Sequence, residues 1–131
     1  MNIKRYQKKL CNDIQKYCKT ITPTRSTTGL FNHRCFYNAC DYAVRNGGDV
    51  VEVMLIQDQD PTLHYINRDA DGQYVETTLG YLMGDYNYHL LRDVQPCDYN
   101  RIDVVFDDRL DHFNKLYIPW YSRPFIKGRL C

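Results

Sequence analysis

Three residue types that together can carry out acyl transfer occur in this chain in a suggestive order: a cysteine, a histidine and then an acidic residue. Cys35 opens the stretch CFYNACDYAVRN, His64 lies in PTLHYINR, and Glu76 follows in QYVETTLG. A thiolate is a nucleophile, an imidazole can move a proton, and a carboxylate can orient the imidazole. The three residues therefore predict cysteine-dependent chemistry at a carbonyl, provided that the fold brings them together.

The element that must position Cys35 is a helix over residues 35–46. Apolar residues recur there at three- and four-residue intervals, and Asn46-Gly47-Gly48 ends the pattern as a C-cap; the apolar residues are Phe36, Ala39, Cys40, Ala43 and Val44. Cys40 lies on the predicted buried face. Cys35 lies in the first turn, where unpaired N–H groups and the helix dipole lower a thiol's pKa from about 8.5 toward neutrality.

The elements that must position His64 and Glu76 are two strands joined by a turn. Residues 50–57 are rich in Val, Ile and Leu and predict a central strand, and residues 61–68 predict a second strand that carries His64. DADG, residues 69–72, is a hairpin turn signal before Glu76. An odd number of loop residues would place His64 and Glu76 on one face of the sheet, whereas a two-residue loop would turn Thr77 toward His64 instead.

These residues carry a family resemblance. A helix that opens on cysteine, a Val-rich strand, a strand histidine, a Gly-containing turn and an acidic residue followed by Thr is an order similar to the transglutaminase-like branch of the papain-like cysteine enzymes. HYINRDADGQYVETTLG resembles the histidine and aspartate strands of that family. The resemblance spans residues 29 to 80. Here Glu76 stands where the family more often has Asp, the Pro after the acid is missing, and Arg34 and Phe36 flank the cysteine.

The resemblance implies a fold and a set of roles. The fold is α+β, with a papain-like or transglutaminase-like core in which N-terminal helices pack on an antiparallel sheet of four to six strands. Cys35 is the implied nucleophile, His64 the general base and Glu76 the acid that orients it. The implied activity is acyl transfer at an amide by a peptidase, deamidase or transglutaminase-type enzyme, with a protein or peptide substrate and no cofactor.

Two further residues are candidates for the substrate cleft. Asn32 could supply an oxyanion donor beside the main-chain N–H of Cys35, although turn formation or helix capping is the common role of Asn at such positions. Trp120 in IPWYSRPF could form a wall of the cleft, and its structural alternative is an anchor at the edge of the core.

Other histidines and cysteines offer rival sites. His33 is a rival base, but it lies so near Cys35 in sequence that the two side chains would need a distorted backbone to meet. A zinc site from His33, Cys35 and Cys40 would lack the usual spacing of structural zinc ligands. His89 and His112 are isolated and indicate surface or packing residues. The sequence therefore predicts no metal site.

The length of 131 residues predicts one domain over 1–131. Residues 1–28 form an N-terminal helix and loop, with an apolar stripe from Ile3 to Ile21 and a candidate rim or lid at 22–29; residues 29–80 form the catalytic core; and residues 81–131 form the remaining sheet and a C-terminal tail. In that last part we expect a strand or two over 80–95, then a strand at 101–108 that runs into a short helix at 109–115, and an extended segment at 116–120.

Composition bears on partners and location. A formal net charge of +1 and the absence of a Lys/Arg stripe argue against nucleic acid as a partner. No apolar run indicates a membrane span or a signal peptide, so the six cysteines predict free thiols and a cytoplasmic protein, in the host cytoplasm if the protein is viral. The twelve tyrosines also fit a second function: a non-enzymatic protein-binding or inhibitor module on the same fold.

Overall fold

The computed structural model describes residues 3–26, 30 and 34–119, which form three helices and six strands. The helices are α1 (Ile3–Tyr17), α2 (Cys35–Asn46) and α3 (Ile102–Tyr117). The strands are β1 (Thr20–Ile21), β2 (Arg25–Ser26), β3 (Asp49–Gln57), β4 (Asp60–Arg68), β5 (Tyr74–Glu76) and β6 (Asn87–Val94). Two short 3-10 helices, Gly80–Asp85 and Pro96–Asp98, flank β6.

The strands form one sheet in the order β1-β6-β3-β4-β5-β2. Four of the strand pairs are antiparallel, as predicted, but β2 runs parallel to β5. The predicted antiparallel direction was therefore wrong for this one pair of strands. The architecture combines helices with a mainly antiparallel sheet, and the fold is α+β.

The sheet must curl because its two edge strands are neighbours in sequence. Only residues 22–24 separate β1 from β2, and a linker of that length reaches about 14 Å at most. A flat sheet of six strands would hold its edge strands about 24 Å apart. The sheet is consequently bent into a half-barrel with an outer and an inner face.

Both faces of the half-barrel are covered by apolar side chains. The three helices pack on the outer face around Met54, Leu63 and Tyr65, and a second cluster with Val53, Ile66 and Tyr88 fills the inner face. All residues of β3 between its two ends are buried. This explains why the β3 sequence is a nearly continuous apolar run rather than an alternating one.

The first half of the chain largely follows its sequence pattern. The helix predicted over 35–46 is confirmed with those bounds, and it ends at Gly47, whose φ of 81° suits glycine and whose N–H donates to the Ala43 carbonyl. The strands predicted at 50–57 and 61–68 are confirmed as β3 and β4. The stripe predicted to reach Ile21 is wrong at its end, because the helix stops at Tyr17 and Ile21 lies on β1.

The second half departs further from its sequence pattern. The strand expected at 101–108 and the start of the extended segment at 116–120 are wrong, because one helix, α3, runs from Ile102 to Tyr117. Residues 109–115 are helical as expected, but they belong to this longer helix. Residues 80–85 are 3-10 helix, so only β6 confirms the strands expected over 80–95. Among residues 3–26, 30 and 34–119, no helix combines the length and the apolarity that a membrane crossing requires.

Candidate active site

His64 and Glu76 meet on the inner face of the half-barrel. In the β4–β5 pair, Asn67 faces Val75 and Arg68 faces Tyr74, so the connecting residues 69–73 are odd in number. The parity condition set by the sequence is met, and His64 Nε2 lies 2.7 Å from Glu76 Oε1. Both side chains are almost fully buried, with exposed fractions of 5% and 0%.

The connection between β4 and β5 is a compact turn organised by Asp69. The Asp69 carboxylate accepts hydrogen bonds from the backbone N–H groups of Asp71 (3.0 Å) and Gln73 (2.9 Å). Such a side-chain-stabilised turn holds its length, and its length sets the register of the strands it joins. The turn therefore fixes which face of the sheet Glu76 occupies.

The Glu76 carboxylate is surrounded by hydrogen-bond donors. Oε1 accepts from the Tyr88 hydroxyl at 2.6 Å and is also the oxygen that faces His64. Oε2 accepts from the backbone N–H groups of Thr78 (2.8 Å) and Leu79 (3.1 Å). Burial by itself would raise the pKa of Glu76, but the contacts with His64, Tyr88 and Thr78 lower it below its usual value. Glu76 is therefore held as a carboxylate.

Cys35 is the first residue of α2 and is partly buried. Phe36 anchors this end of the helix, since its ring packs on the Tyr65 ring of β4 with a centroid separation of 4.2 Å. Asn38, one turn into the helix and buried, donates to the Thr78 hydroxyl at 2.9 Å. Thr78 also contacts Glu76, so α2 is attached directly to the loop that binds the acid.

His64 links the thiol to the carboxylate. Burial alone would lower the pKa of His64, but its interactions with Cys35 and with the Glu76 carboxylate raise it to about 10. Because Nε2 faces Glu76, Nδ1 is the ring nitrogen that the carboxylate does not engage. The structure thus joins two of the residues singled out by the sequence, His64 and Glu76, by a hydrogen bond, and places Cys35 close enough to His64 to raise its pKa.

The raised pKa of His64 gives a titration prediction. We expect the imidazole to stay protonated through neutral pH and to lose its proton only as the pH rises toward 10. This pKa is higher than the value of about 6.5 in the unfolded chain, so protonation of His64 stabilises the folded protein. That stabilisation is complete below about pH 6.5 and is lost as the pH rises through about 10. A nitrogen-15 NMR titration of the His64 ring checks this, and a midpoint near pH 6 would contradict it.

The other predicted site residues fall into two groups. Asn32, Trp120 and the rival base His33 lie outside the described residues, so their roles stay predictions. Cys40 is buried, as predicted, and burial raises the pKa of its thiol to about 12. Among the residues that the structure describes, no three His, Cys, Asp or Glu side chains are grouped so that they could hold a metal ion.

The two isolated histidines have different surroundings. His89 is a buried packing residue, and its Nδ1 lies 3.3 Å from the Thr20 hydroxyl across the β1–β6 pair. Burial lowers the pKa of this imidazole. His112 lies on α3 with its ring edge-on to Phe113 at 5.3 Å. Neither contact links these histidines to the residues around Cys35.

A pocket of about 440 Å³ opens beside Cys35. It lies between the beginning of α2 and the beginning of α3, and it is lined by Arg34, Cys35, Phe36, Tyr37, Asn100, Arg101, Ile102, Asp103, Val104 and Phe106. We call it the α2–α3 pocket. Its volume falls in the range of small-molecule and peptide side-chain sites, and it gives the thiol access to a bound molecule.

A buried ionic cluster on the outer face attaches α3, one wall of the pocket, to the sheet. Glu52 of β3 is fully buried and accepts hydrogen bonds from Arg109 of α3 at 2.7, 2.9 and 3.0 Å and from the Tyr65 hydroxyl at 2.7 Å. Arg92 of β6 lies within ion-pair distance at 3.4 Å. This cluster fixes α3, which forms one wall of the pocket, to the sheet.

Sequence reasoning missed the supporting residues around the triad. Nothing in the sequence pairs Asn38 with Thr78 or Tyr88 with Glu76, since both contacts join distant segments. Glu52 did carry a signal, because a single charge inside the apolar run VVEVMLIQ indicates a buried carboxylate that needs a cationic partner. That partner, Arg109, could not be chosen among the seventeen basic residues of the chain.

In comparisons with known proteins, no family model, no curated protein and no solved structure matches this chain.

Proposed function

We propose that this protein is a cysteine-dependent enzyme that transfers or hydrolyses the acyl group of an amide, with a protein or peptide as substrate. The observation that carries the proposal is the buried His64 ring, which is hydrogen-bonded to Glu76 and has Cys35 as a second neighbour that raises its pKa. A structural histidine needs one satisfied partner, whereas a general base needs a nucleophile and an orienting acid on opposite ring nitrogens. His64 has both residues as neighbours.

The proposed reaction has two steps. The Cys35 thiolate attacks the amide carbonyl carbon, and the main-chain N–H of Cys35 donates to the oxyanion that forms. When the C–N bond breaks, protonated His64 gives its proton to the leaving amine and a thioester remains. Water or a second amine then attacks the thioester while His64 takes up its proton, and the thiolate is released. Water yields hydrolysis or deamidation, and an amine yields a cross-link.

The proposal also includes a more specific fold and a cellular compartment for the protein. The α+β architecture, the cysteine at the start of a helix and the histidine and acid on adjacent strands support a papain-like or transglutaminase-like core. The five cysteines described by the structure, all but Cys131, are free thiols. Free thiols persist in a reducing compartment, which supports the cytoplasm, or the cytoplasm of a host cell, as the place of action.

The second candidate function is a binding module, and one observation favours it. Several large side chains are exposed on the described surface, including Tyr81 at 84%, Val44 at 75% and Tyr17 at 73%. Aromatic side chains of this kind are enriched at protein interfaces. The two functions differ at Cys35, because a binding module has no reason to activate that thiol.

The test is the rate of iodoacetamide alkylation of each cysteine as a function of pH, mapped by mass spectrometry, in the wild type and in His64→Ala. We expect Cys35 to react faster than the exposed Cys97 below pH 8 and to lose roughly tenfold or more of its rate without His64, because the imidazolium stabilises the thiolate. A peptide-amide assay with Cys35→Ala as the inactive control then identifies the reaction.

The chain contains its own controls for this test. Cys11 and Cys40 are 0% and 4% exposed and serve as reporters of folding, since they should stay unreactive in both proteins. If Cys11 and Cys40 remain protected while Cys35 reacts no faster than Cys97 and is indifferent to His64, the enzymatic proposal is wrong. The search would then turn to a binding partner.

A further inference from the structure

Thr78, in the loop that follows β5, is hydrogen-bonded to three parts of the candidate active site. Its backbone N–H donates to the Glu76 carboxylate at 2.8 Å, its hydroxyl accepts from the Asn38 side chain at 2.9 Å, and its carbonyl accepts from the Leu30 N–H at 3.1 Å. Thr78 and Asn38 are 3% and 5% exposed. One buried residue therefore contacts the acid, the helix that carries the cysteine and the segment before that helix.

Cys35 lies between the two chain segments that Thr78 contacts. Leu30 is five residues before Cys35, and Asn38 is three residues after it, one turn along α2. Residues three positions apart in a helix lie on the same face, so the Asn38 bond fixes how the first turn of α2 is rotated about the helix axis. The direction in which the Cys35 side chain leaves this turn depends on the same rotation. Loss of the Asn38 bond is therefore expected to shift the thiol relative to the sheet.

The other side of Thr78 leads to His64. Glu76 Oε2 accepts from the Thr78 N–H, and Glu76 Oε1 lies 2.7 Å from His64 Nε2. Contacts therefore run from α2 through Asn38 and Thr78 to the acid and the imidazole. Cys35, at the start of α2, lies close enough to His64 to raise its pKa. Buried hydrogen bonds that hold reacting groups in this way keep them within the small tolerance that chemistry requires.

We propose that the hydrogen bond between Asn38 and Thr78 positions the Cys35 thiol against the imidazole of its base. The inference rests on the proposed function, since the thiol and the imidazole are the groups that would react. The two residues are positioning residues, because they act through α2 and through the acid and not on the substrate. Both side chains are neutral, so removing their bond changes the geometry of the reacting pair without changing the charge around it.

The test breaks this bond from each side. Thr78→Val removes the hydroxyl but keeps the size of the side chain and the backbone N–H that binds Glu76, and Asn38→Ala removes the donor with a residue that favours helix. We expect each substitution to slow the iodoacetamide alkylation of Cys35 at pH 7 by roughly fivefold, the effect of losing one neutral hydrogen bond. Thr78→Ser keeps the hydroxyl and should retain most of the wild-type rate.

Thr77→Val is the matched control. Thr77 is the neighbour of Thr78 and is also 3% exposed, but its hydroxyl has no hydrogen-bond partner among the residues that the structure describes. The same substitution at equal burial therefore removes a hydroxyl without removing a hydrogen bond. We expect Cys35 to react at the wild-type rate in Thr77→Val. Equal slowing in Thr77→Val and Thr78→Val would overturn the proposal, since the effect would then belong to the loop and not to the bond.

Repeating the substitutions in a His64→Ala background separates positioning from a general loss of stability. If the bond acts by holding the thiol against the imidazole, it has nothing to act on once the imidazole is absent. We therefore expect Thr78→Val to leave the rate of Cys35 unchanged in this background, and slowing of the same size in both backgrounds would overturn the proposal. Asn38→Ala and Thr78→Val combined should slow Cys35 no more than one of them alone, because both remove the same bond.

The alkylation experiment also reports whether α2 stays packed. Cys40 lies on α2 and is 4% exposed, so it should remain unreactive in every variant that keeps the helix in place. If Thr78→Val makes Cys40 reactive, the comparison of Asn38→Ala with Thr77→Val decides by the same criterion. A rate that falls in Asn38→Ala alone supports the positioning role, and equal rates in the two overturn it.

The outcomes also separate this inference from the proposed function. If Cys35 is fast and dependent on His64, but neither substitution that breaks the bond changes its rate, the enzymatic proposal stands and the positioning role is overturned. If Cys35 is slow with iodoacetamide and indifferent to His64 in the otherwise unchanged chain, the enzymatic proposal fails, and the positioning role fails with it.

Discussion

Replacing Glu76 with glutamine is expected to lower the free energy of unfolding by about 3 kcal/mol and to slow the alkylation of Cys35 at pH 7.5 by roughly tenfold. Four groups that contact the carboxylate are arranged as donors: His64 and Tyr88 on one oxygen, and the Thr78 and Leu79 N–H groups on the other. A glutamine has one acceptor oxygen and one NH₂ group, so in either orientation its NH₂ group opposes buried donors.

The same substitution removes the charge that keeps His64 protonated. Without a carboxylate on Nε2, the pKa of His64 falls toward its usual value, so the imidazolium that would activate Cys35 is lost at a lower pH than in the wild type. Denaturant unfolding and cysteine-mapped alkylation measure the two effects separately. Glutamine at position 76 thus tests the structural and the chemical role of the acid in one variant.

Tyr88→Phe is the matched comparison for Glu76→Gln. It removes one donor from the same carboxylate oxygen but leaves the carboxylate charged and bonded to His64. We expect a loss of about 1 kcal/mol in unfolding free energy and a smaller change in Cys35 alkylation than Glu76→Gln causes. If the two variants behaved alike, the charge of Glu76 would have no part in activating the thiol.

Replacing Arg109 with alanine is expected to cost about 3 kcal/mol of unfolding free energy, because it leaves a buried carboxylate without its closest cation. Glu52 is 0% exposed and Arg109 only 20%, so solvent can replace little of the lost interaction. Arg92 lies at 3.4 Å and the Tyr65 hydroxyl at 2.7 Å, and both still face the carboxylate after the substitution. Urea unfolding of the two proteins at pH 7 measures the loss.

Two further variants show whether burial is the cause. Lys115→Ala removes another cation of α3, from an exposed pair with Asp111 in which both side chains are about 60% exposed, and it should change stability by no more than about 0.5 kcal/mol. Replacing Glu52 and Arg109 together by leucine should recover much of the loss, since it removes the buried charge as well. A double variant as unstable as Arg109→Ala would contradict this explanation.

Features of the candidate site that depend on a short segment of the chain could be predicted from the sequence, and contacts between distant segments could not. The start of α2 at Cys35 follows from the spacing of five apolar residues, and the facing of His64 and Glu76 follows from the parity of one short turn. Asn38, Tyr88 and the Glu52–Arg109 pair act between segments far apart in the chain. A single sequence contains no signal that selects such partners.

The error at α3 has a different origin. The run Ile-Asp-Val-Val-Phe is rich in β-branched and aromatic residues, which favour a strand. Ile102, Val105, Leu110 and Phe113 nevertheless follow helical spacing, and the inward-facing members of this set pack on α1, α2 and the sheet. Periodicity over the whole segment was therefore the better guide than the composition of its first five residues. The parallel pairing of β2 with β5 had no sequence signal at all.

The attachment of β1 and β2 to opposite edges of the half-barrel sets an order of assembly. β1 pairs with β6 and β2 with β5, so neither edge strand has a partner until most of the chain has been synthesised and the β3–β4 hairpin has been extended on both sides. Contacts between such distant segments form late, because the intervening chain must first be ordered. β2 is the last strand before α2 in the chain, so the pairing that attaches β2 to the sheet is expected to form only after β4 and β5 are in place.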